Sequence, residues 1–400
     1  MQKIKILHII TRLDKGGSTE HVLECCEYFE KKDDFEIILI YGGETKLNLD
    51  FKNYYVKFLQ REISPIKDIV AFLKILKIIK KEKPDIIHTH SSKAGFIGRW
   101  AAWLARITSY KLQATKIIHT PHGHVFYGYY GKLKTLLFLL LERLTAKITD
   151  KLVALTEGEK NESLSFGVGK EQQWIIIPSG IDYNLELKVF CKLRDSELKE
   201  KLGIPKNSIV IGTVARLEPI KGIRYLVDAA KIILSLPSYL LPPIYFLIVG
   251  DGSERKFLEE RVEKLGLKDK FIFTGMREDV ADLMSIMDIY VQPSINEGMG
   301  KTIVLAELLG KPVVATNVQG IPSVVVNSET GETGILVPHK DPQKLAEAIV
   351  KLINDENLRT KMGENAKKWV YKIVDGYPQF SLERMLFLLE NLYKMLVHSY

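Results

Sequence analysis

The chain has 400 residues, a formal net charge of +8, and 46% hydrophobic and 26% charged residues. This composition is typical of soluble globular proteins and excludes disordered, collagenous and membrane-spanning chains. Because one hydrophobic core rarely organises so long a chain, the length predicts two domains of roughly 200 residues each.

The chain begins directly with a strand-like stretch, Ile4 to Ile10, without a signal peptide. No apolar run approaches the roughly 20 residues that a membrane span needs. The three cysteines, of which Cys25 and Cys26 are adjacent, cannot form a disulfide framework. We therefore expect a cytoplasmic protein in a reducing environment.

Short β-branched runs alternate with segments of helical periodicity in both halves of the chain, as is typical of βαβ units and parallel sheets. The predicted strands are 4–10, 37–40, 85–88, 116–119, 152–155, 209–215, 244–249, 271–273, 289–292 and 312–315. The charged stretch between about Asn184 and Asn207 is interpreted as the interdomain linker. The predicted fold class is α/β, with two doubly wound, Rossmann-like domains that face each other across a cleft.

The predicted domains are residues 1–190 and 205–376. The segment Ser381 to Val397 has helical periodicity, and a C-terminal helix within about 377–400 is expected to pack back on the first domain. In doubly wound folds ligands bind beyond the carboxyl ends of the strands, so the functional residues are sought in the loops that follow strands.

The first domain is strongly basic. Residues 51–150 contain 18 Lys and Arg but only 6 Asp and Glu, and the predicted helix from Pro65 to Lys81 is both amphipathic and rich in lysine. Such a helix can lie on anionic lipid headgroups, or its apolar stripe can cover the sheet while its lysines face water. No nucleic-acid-binding module accompanies the basic region, which favours a membrane surface or a phosphorylated substrate over nucleic acid.

Two loops of the second domain carry candidate ligand-binding residues. Arg216 and Lys221 follow a predicted strand, where they suit a pyrophosphate, although they can equally be solvated loop cations. In the other loop Glu297 precedes Gly298, Met299 and Gly300 at a predicted helix start. Main-chain N–H groups at such a start favour an anion, while Glu297 can accept hydrogen bonds from sugar hydroxyls or stabilise the helix.

In the first domain Gly16 and Gly17 join a strand to a helix, without the three-glycine spacing of a dinucleotide-binding site. Histidines 88, 90, 119, 122 and 124 lie at or just after the ends of two predicted strands. One of them can contact a reacting sugar, while a metal site and ordinary loop histidines are the alternatives. No Asp-x-Asp pair occurs in the chain, so no metal cofactor is expected at a diphosphate site.

Taken in order, Gly16-Gly17, His122-Gly123, Arg216 with Lys221, and Glu297-Gly298-Met299-Gly300 resemble glycosyltransferase family 4. The phrases Val249-Gly250-Asp251-Gly252 and Lys311-Pro312-Val313-Val314-Ala315-Thr316 agree, and the resemblance spans nearly the whole chain. It implies a GT-B fold, an acceptor-binding first domain, a nucleotide-sugar-binding second domain, and metal-independent transfer with retention of anomeric configuration.

The resemblance also implies residue roles. His122 and Glu297 are the predicted catalytic residues. The predicted nucleotide-sugar-binding residues are Gly16, Gly17, Arg216, Lys221, Gly250, Gly298, Met299, Gly300, Lys301, Thr302 and Glu307. Among them, Arg216 and Lys221 hold the diphosphate, Lys301 and Thr302 approach the phosphates, and Gly17 closes over them.

Two positions depart from the family pattern, which has a second, ribose-binding glutamate eight positions after the first. Here Leu305 takes that position, and Glu307 follows two residues later. Two residues turn a helix by about 200°, so Glu307 binds the donor only if the helix starts differently. Ser323 also replaces the glutamate that commonly follows Ile321-Pro322 in the family.

The predicted function is therefore a retaining, hexosyltransferase-like enzyme of cell-surface polysaccharide or lipopolysaccharide synthesis. Its expected partners are a nucleotide-sugar donor, a glycan or lipid-linked acceptor and an anionic membrane surface at the inner face of the cytoplasmic membrane, without nucleic acid. The alternative is a non-catalytic nucleotide-sugar-binding partner in a glycan assembly complex. A third hypothesis, a sugar-nucleotide epimerase, gives no purpose to the basic first domain.

Overall fold

The computed structural model describes residues 3–14, 16–43, 47–123, 126, 131–184, 195–237, 241–329 and 331–398. The chain divides into two compact units. The first unit contains Met1–Gly180 and Met385–Tyr400, and the second contains Ile181–Arg384. Residues 185–194, which are part of the predicted linker, and His124 of the predicted histidine group lie outside the described residues.

The first unit is built on a seven-stranded parallel sheet with the order β3-β2-β1-β4-β5-β6-β7. The strands are β1 (Ile4–Ile10), β2 (Phe35–Tyr41), β3 (Asn53–Tyr55), β4 (Ile86–His90), β5 (Lys116–Thr120), β6 (Lys151–Ala154) and β7 (Trp174–Ile176). Central strands such as β4 are buried at every position, because helices cover both faces of a parallel sheet.

The helices of the first unit follow from this strand order. They are α1 (Gly17–Glu30), α2 (Pro65–Glu82), α3 (Ser92–Thr108), α4 (Lys132–Ala146) and α5 (Glu157–Ser165). From β3 onward each crossover moves the same way along the sheet, so right-handed connections place α2 to α5 on one face and α1 on the other. Accordingly, α3 packs against both α2 and α4.

The second unit has a six-stranded parallel sheet with the order β10-β9-β8-β11-β12-β15. The strands of the second unit are β8 (Ile209–Val214), β9 (Ile244–Val249), β10 (Phe271–Gly275), β11 (Ile289–Gln292), β12 (Val313–Thr316), β13 (Asn327–Ser328), β14 (Gly331–Glu332), β15 (Gly334–Val337), β16 (Ile373–Val374) and β17 (Tyr377–Pro378). Of these, β13 with β14 and β16 with β17 form small antiparallel pairs outside the main sheet.

The helices after residue 194 are α6 (Asp195–Lys201), α7 (Ile223–Leu234), α8 (Arg255–Lys264), α9 (Val280–Ser285), α10 (Lys301–Leu308), α11 (Pro342–Asn354), α12 (Glu356–Val370) and α13 (Leu382–His398). Asp341 and Asp355 cap α11 and α12 by accepting backbone N–H groups of the first turns. The last helix, α13, runs into the first unit, where Tyr393 contacts His88 and Glu390 pairs with Lys32.

All ten predicted strands are present, and their ends differ from the prediction by at most two residues. The predicted α/β class, with two doubly wound domains, is therefore confirmed. The prediction did not include β3, β7 and β15, which are short edge strands with few fully buried positions. Among the described residues no helix combines the length and apolarity that crossing a bilayer requires.

Candidate functional site

In the second unit a lysine and a glutamate from two different loops form a short ion pair. Lys221 Nζ lies 2.6 Å from Glu297 Oε2, and the two side chains are only 19% and 13% exposed. The same carboxylate oxygen accepts hydrogen bonds from Ser294 Oγ at 3.1 Å and from Gln292 Nε2 at 3.3 Å. Three donors therefore fix the orientation of the Glu297 carboxylate.

The backbone holds these two loops together. Gly222 has a φ of 66°, and a Cβ at this position would lie 2.1 Å from the carbonyl oxygen of Pro293. The N–H of Ile295 donates to the carbonyl of Ile220 at 2.8 Å. Because only glycine tolerates both this conformation and this close approach, Gly222 fixes Lys221 against the second loop.

Helix α10 begins directly after the glycine-rich turn. Its N-cap residue, Gly300, has a left-handed backbone conformation with a φ of 85°. In the first turn Thr302 Oγ1 lies 2.8 Å from the hydroxyl of Tyr290, and burial raises the pKa of that phenol. The first-turn N–H groups of a helix carry partial positive charge, so the start of α10 is suited to bind an anion.

Other residues that were predicted to bind the nucleotide sugar differ in exposure. Gly298 and Met299 are buried, whereas Lys301 is half-buried. The Arg216 side chain is 38% exposed, and its Nη1 lies 3.0 Å from Glu218 Oε1. Arg216 is thus accessible to a ligand from solvent, while the two buried residues can contribute mainly their backbone groups.

Gly250 supports the loop that carries Arg216. A Cβ at Gly250 would lie 2.0 Å from the carbonyl oxygen of Ala215, and the Gly250 φ of 127° favours glycine. Its N–H donates to the carbonyl of Gly275 at 3.0 Å. The structure therefore gives Gly250 a packing reason that is separate from the predicted contact with the donor.

Glu307 lies on α10 but not with the Glu297 network. Its side chain is buried, and neither carboxylate oxygen has a well-formed hydrogen bond among the described residues. Burial raises the pKa of Glu307 well above its ordinary value, and the nearby Thr333 side chain opposes this shift. Leu305, at the family's glutamate position, is buried as well, so in this structure neither residue presents a carboxylate to a ligand.

In the first unit the predicted catalytic residue His122 lies in a strained turn after β5. His122 and Gly123 both have left-handed conformations, with φ of 56° and 89°, which a histidine rarely adopts. The buried carboxylate of Glu159 holds the turn by accepting the N–H groups of Gly123 and Leu155, both at 2.7 Å. A rare backbone conformation that neighbouring groups hold in place is typical of functional sites.

His122 belongs to a cluster of histidines that comes together from separate strands. His8 Nδ1 lies 3.0 Å from His90 Nε2, and His90 Nδ1 lies 3.1 Å from His122 Nε2. His8 sits opposite His88 in the parallel pairing of β1 with β4. Burial lowers the pKa of His8 to about 3 and the pKa values of His88 and His90 well below their ordinary range, so these rings are neutral at neutral pH.

Among the described residues, two groups of three histidines bring ring nitrogens within 4.8 Å of one another. These groups are His8 with His88 and His90, and His21 with His90 and His122. Both ring nitrogens of His88 already lie within 2.8 Å of hydroxyl groups, those of Tyr393 and Thr120. Both nitrogens of His90 are likewise occupied by neighbouring imidazoles. A metal ion would have to displace these hydrogen bonds, so the donor sets fit a metal poorly.

Gly16 and Gly17 lie at the start of α1. The carbonyl of Gly16 accepts the N–H groups of Thr19 and Glu20 at 3.0 and 3.1 Å, which closes the first turn. In the part of the chain that the structure describes, a Cβ at Gly16 would meet no atom within 4 Å, so packing there does not require glycine. The space beside Gly16 is therefore open.

Sequence reasoning missed the residues that orient the predicted ones. Gln292 and Ser294 hold Glu297, Glu159 holds the histidine turn, and His8 contacts His90. Parallel pairing of the first strand with the His88 strand could have indicated His8, because the two strands are adjacent in a doubly wound sheet. No local signal marks Glu159, which is 36 residues from Gly123, whereas Gln292 and Ser294 lie within five residues of Glu297 in the same strand-to-helix segment.

Two family models match the chain. The model described as Glycosyltransferase Family 4 matches residues 15–185, and the model described as Glycosyl transferases group 1 matches residues 194–369. The chain is 32% identical to a UDP-Gal:alpha-D-GlcNAc-diphosphoundecaprenol alpha-1,3-galactosyltransferase of Escherichia coli, with 94% of this chain and 93% of the relative covered. It is 29% identical to the capsular polysaccharide biosynthesis glycosyltransferase CapM of Staphylococcus aureus, over 92% and 93% of the two chains.

The fold is also similar to solved structures. A sucrose-phosphate synthase from Thermosynechococcus elongatus superposes with a TM-score of 0.80 over the full length of both chains, at 21% sequence identity. At this level of identity the similarity concerns the fold alone. Together with the parallel sheets of both units, it confirms the GT-B type of architecture.

Proposed function

Because the chain belongs to glycosyltransferase family 4 and is a glycosyltransferase, we propose that it transfers a sugar from a nucleoside diphosphate sugar to a glycan or glycolipid acceptor, with retention of anomeric configuration. The acceptor belongs to the synthesis of a cell-surface polysaccharide or lipopolysaccharide. Relatives that make such polymers, including CapM and the Escherichia coli galactosyltransferase, support this assignment.

The observation that carries the proposal is the contact between Lys221 and Glu297. A sugar nucleotide joins a neutral, hydroxyl-rich ring to a diphosphate through one bond, so its site needs a sugar-binding acceptor next to a phosphate-binding cation. The Lys221 ammonium and the Glu297 carboxylate meet at 2.6 Å, beside the start of α10. This pairing of charges matches the two ends of the bond that breaks.

In the proposed reaction the acceptor hydroxyl attacks the anomeric carbon on the face that the diphosphate leaves. Lys221 and Arg216 neutralise the leaving diphosphate, and the N–H groups at the start of α10 add to this stabilisation. Glu297 holds the sugar ring, and His122 contributes a hydrogen bond near the donor sugar. The leaving phosphate takes the acceptor's proton, so positioning and electrostatics supply most of the catalysis.

We further propose that no metal cofactor takes part in this transfer. The chain has no Asp-x-Asp pair to hold a divalent cation against a diphosphate. The cations that such a pair would supply through a metal are present instead as Arg216 and Lys221.

We also propose a peripheral position on the inner face of the cytoplasmic membrane. The excess of basic residues between 51 and 150, including the lysines of α2, suits anionic headgroups. A surface position would bring the first unit close to a lipid-linked acceptor, which is the kind of acceptor named for the Escherichia coli relative.

The test is release of nucleoside diphosphate from UDP-, GDP- and ADP-sugars in the presence of EDTA, with water or an added lipid-linked glycan as acceptor. We expect release from one donor base, unchanged by EDTA and lost in Glu297→Ala. Determination of the product anomer by NMR tests retention. Dependence on a divalent cation would contradict the metal-free proposal without contradicting glycosyl transfer.

The alternative is a non-catalytic nucleotide-sugar-binding partner in a glycan assembly complex. The observation that favours it is the burial of both Leu305 and Glu307, which leaves the expected ribose-binding carboxylate without a substitute on α10. Calorimetry separates the two functions. Binding of a nucleoside diphosphate without turnover of any donor, in the presence of lipid-linked acceptors, supports the alternative.

A further inference from the structure

Helix α4 has two apolar faces, of which the described residues cover only one. Leu139 and Ala146 are buried and belong to a core cluster that includes Leu152 and Trp174. The other face carries five leucines that are between 42% and 82% exposed. These residues, named here the leucine face, are Leu133, Leu136, Leu137, Leu140 and Leu144. A surface helix ordinarily needs only the buried stripe, so the second stripe requires another explanation.

The sequence intervals between the five leucines place them all on one side of the helix. The five leucines follow one another at intervals of three, one, three and four residues, which places them along one line of the helix surface. Isolated exposed leucines are common on protein surfaces, whereas an aligned row of five is not.

The charges around the leucine face select the partner. The exposed charged residues in and directly after α4 are all basic: Lys132, Lys134, Arg143 and Lys147. The one acidic residue of the helix, Glu142, is half-buried, and its Oε1 lies 2.6 Å from Nη2 of the buried Arg99. A second copy of this chain on the leucine face would bring like charges together. An anionic lipid surface offers opposite charge around an apolar interior.

The neighbouring helices on the same face of the sheet also expose apolar and basic side chains. Helix α2 exposes Ile66, Ile69 and Leu73 together with its lysines, and α3 packs between α2 and α4. Trp100 and Trp103 of α3 are half-buried, with ring centroids 5.4 Å apart. Partly exposed tryptophans and basic residues beside apolar ones are typical of protein surfaces at the membrane–water boundary.

We propose that α4 inserts its leucine face into the acyl boundary of an anionic bilayer and is the element that anchors the first unit. This inference rests on the proposed function, which it deepens by naming the helix that contacts lipid. It differs from an electrostatic contact of α2 alone, because apolar insertion persists at a salt concentration that screens surface charges.

The test is flotation of the full-length protein with vesicles of phosphatidylcholine alone or mixed with phosphatidylglycerol, at low and high salt. We expect Leu136→Gln/Leu140→Gln to weaken binding to anionic vesicles about tenfold or more at both salt concentrations. Lys132→Gln/Lys134→Gln should weaken binding at low salt only. The matched control, Leu236→Gln/Met276→Gln, removes exposed apolar side chains from the second unit and should bind like the wild type.

Nucleoside diphosphate release with water as acceptor separates this inference from the proposed function, because it needs no membrane. Release that is equal in the leucine variant and the wild type, together with lost flotation, supports the anchor. Equal flotation of the two proteins would overturn it. A wild-type dimer in sedimentation analysis that becomes monomeric in the leucine variant, without vesicle binding by either, would assign the leucine face to a second copy.

A second, independent observation concerns the imidazole chain formed by His8, His90 and His122. Burial lowers the pKa of His90, whose neutral ring has one N–H and makes both contacts, so the two contacts can run in only one direction at a time. His8 Nε2, at the buried end, has no hydrogen-bond partner among the described residues. If the protons are on the Nδ1 atoms, His8 Nε2 has only a lone pair without a partner. In the reverse direction His8 Nε2 would carry a buried N–H without an acceptor, which native structures largely avoid.

We infer that His8 and His90 are positioning residues that hold His122 as its Nδ1–H tautomer, with Nε2 accepting from His90. His122 then meets a sugar hydroxyl or phosphate oxygen as a neutral hydrogen-bond donor at Nδ1. The inference rests on the proposed function only for the identity of that ligand, since the tautomer is a property of the protein without substrate.

The test is ¹⁵N–¹H correlation NMR of the full-length protein labelled at histidine nitrogens, in EDTA, with the exposed His339 as internal reference. We expect an Nδ1–H tautomer for His122 in the wild type and a mixture of tautomers in His90→Phe. In this variant the pH profile of kcat should also show a new loss of activity on the acidic side. His90→Asn, whose amide can still donate to His122, should restore part of the wild-type profile.

An Nε2–H tautomer for His122 in the wild-type protein would overturn the inference without any variant being needed. Stoichiometric shifts of several ring nitrogens on addition of Zn²⁺ would also overturn it, by showing that the cluster is a metal site. Neither outcome depends on whether a donor or acceptor has been identified, so failure of the proposed function remains distinguishable.

Discussion

The two units place different chemistry after strands of similar parallel sheets. In the second unit, Lys221 and Glu297 are partly exposed and held as an ion pair of 2.6 Å. In the first unit, burial lowers the pKa values of His8 and His90, because a buried imidazolium without water or a carboxylate partner is unfavourable. One unit thus offers permanent charges to a ligand and the other offers neutral hydrogen-bonding rings. The difference in charge between these two groups of side chains comes from their burial more than from their residue types.

The largest effect that tests this comparison is expected at Glu297, the carboxylate of the ion pair in the second unit. We expect Glu297→Ala to lower kcat about 100- to 1000-fold, because it removes the acceptor for sugar hydroxyls and leaves Lys221 without its partner. Nucleoside diphosphate release measures the effect. Glu260→Ala, an exposed carboxylate on α8, is the control and should act like the wild type. Near-normal turnover in Glu297→Ala would mean that the charged network only stabilises the fold.

The cation of the same pair should have the next largest effect. We expect Lys221→Met to lower kcat/KM about 10- to 100-fold, because the methionine keeps most of the side-chain volume but cannot neutralise the leaving diphosphate. Initial rates over a range of donor concentrations test this. The exposed Lys256→Met serves as control. An equal loss in both variants would show that general surface charge, and not this pair, matters.

The neutral histidines of the first unit should make it sensitive to acid. Burial holds the pKa of His8 at about 3 and those of His88, His90 and His119 well below the ordinary value of about 6.5. Below that value the unfolded chain binds more protons than the folded one, so the free energy of unfolding falls as the pH falls. Each histidine contributes at most about 1.4 kcal/mol per pH unit.

Urea denaturation at a series of pH values measures this slope, and hydrogen exchange assigns it to a unit. We expect the amides of β1, β4 and β5 to lose protection first on acidification. The substitution His119→Phe removes one buried imidazole and should reduce the slope. If amides of the second unit lost protection from hydrogen exchange at a higher pH than those of the first unit, the comparison between the two units would be contradicted.

The smallest expected effect comes from the buried carboxyl of the second unit and has the opposite sign. Burial raises the pKa of Glu307 well above its ordinary value, so above about pH 4.5 the folded chain binds more protons than the unfolded one. The free energy of unfolding should therefore fall as the pH rises. We expect Glu307→Gln to flatten this single-group slope in urea denaturation, whereas the exposed control Glu263→Gln should leave it unchanged.

Much of the fold could be predicted because its signal is local. Alternating buried strands and amphipathic helices require a parallel sheet with two covered faces, and this pattern located all ten predicted strands. The edge strands β3, β7 and β15 escaped prediction because an edge strand is short and only partly buried. The predicted domain limits of 190, 205 and 376 stay predictions.

The site was predictable only in part, for the same physical reason. Glycines that follow strands indicated both the Glu297 turn and the His122 turn, since backbone conformation depends on nearby residues. The partners of these residues could not be predicted from local pattern. Glu159 holds the turn of Gly123 from 36 residues away. Gln292 and Ser294 lie within five residues of Glu297, but the sequence does not show that their side chains point at its carboxylate.

The sequence by itself determined the α/β architecture, the family and the loops that carry the candidate residues, because hydrophobic periodicity and glycine positions act over a few neighbours. Only the tertiary structure decided which groups are charged and which surfaces are uncovered. It buried Glu307, joined His8 to His90 across two strands, and left the leucine face of α4 open. Burial and pairing between distant segments determine both properties, and neither can be read from adjacent residues.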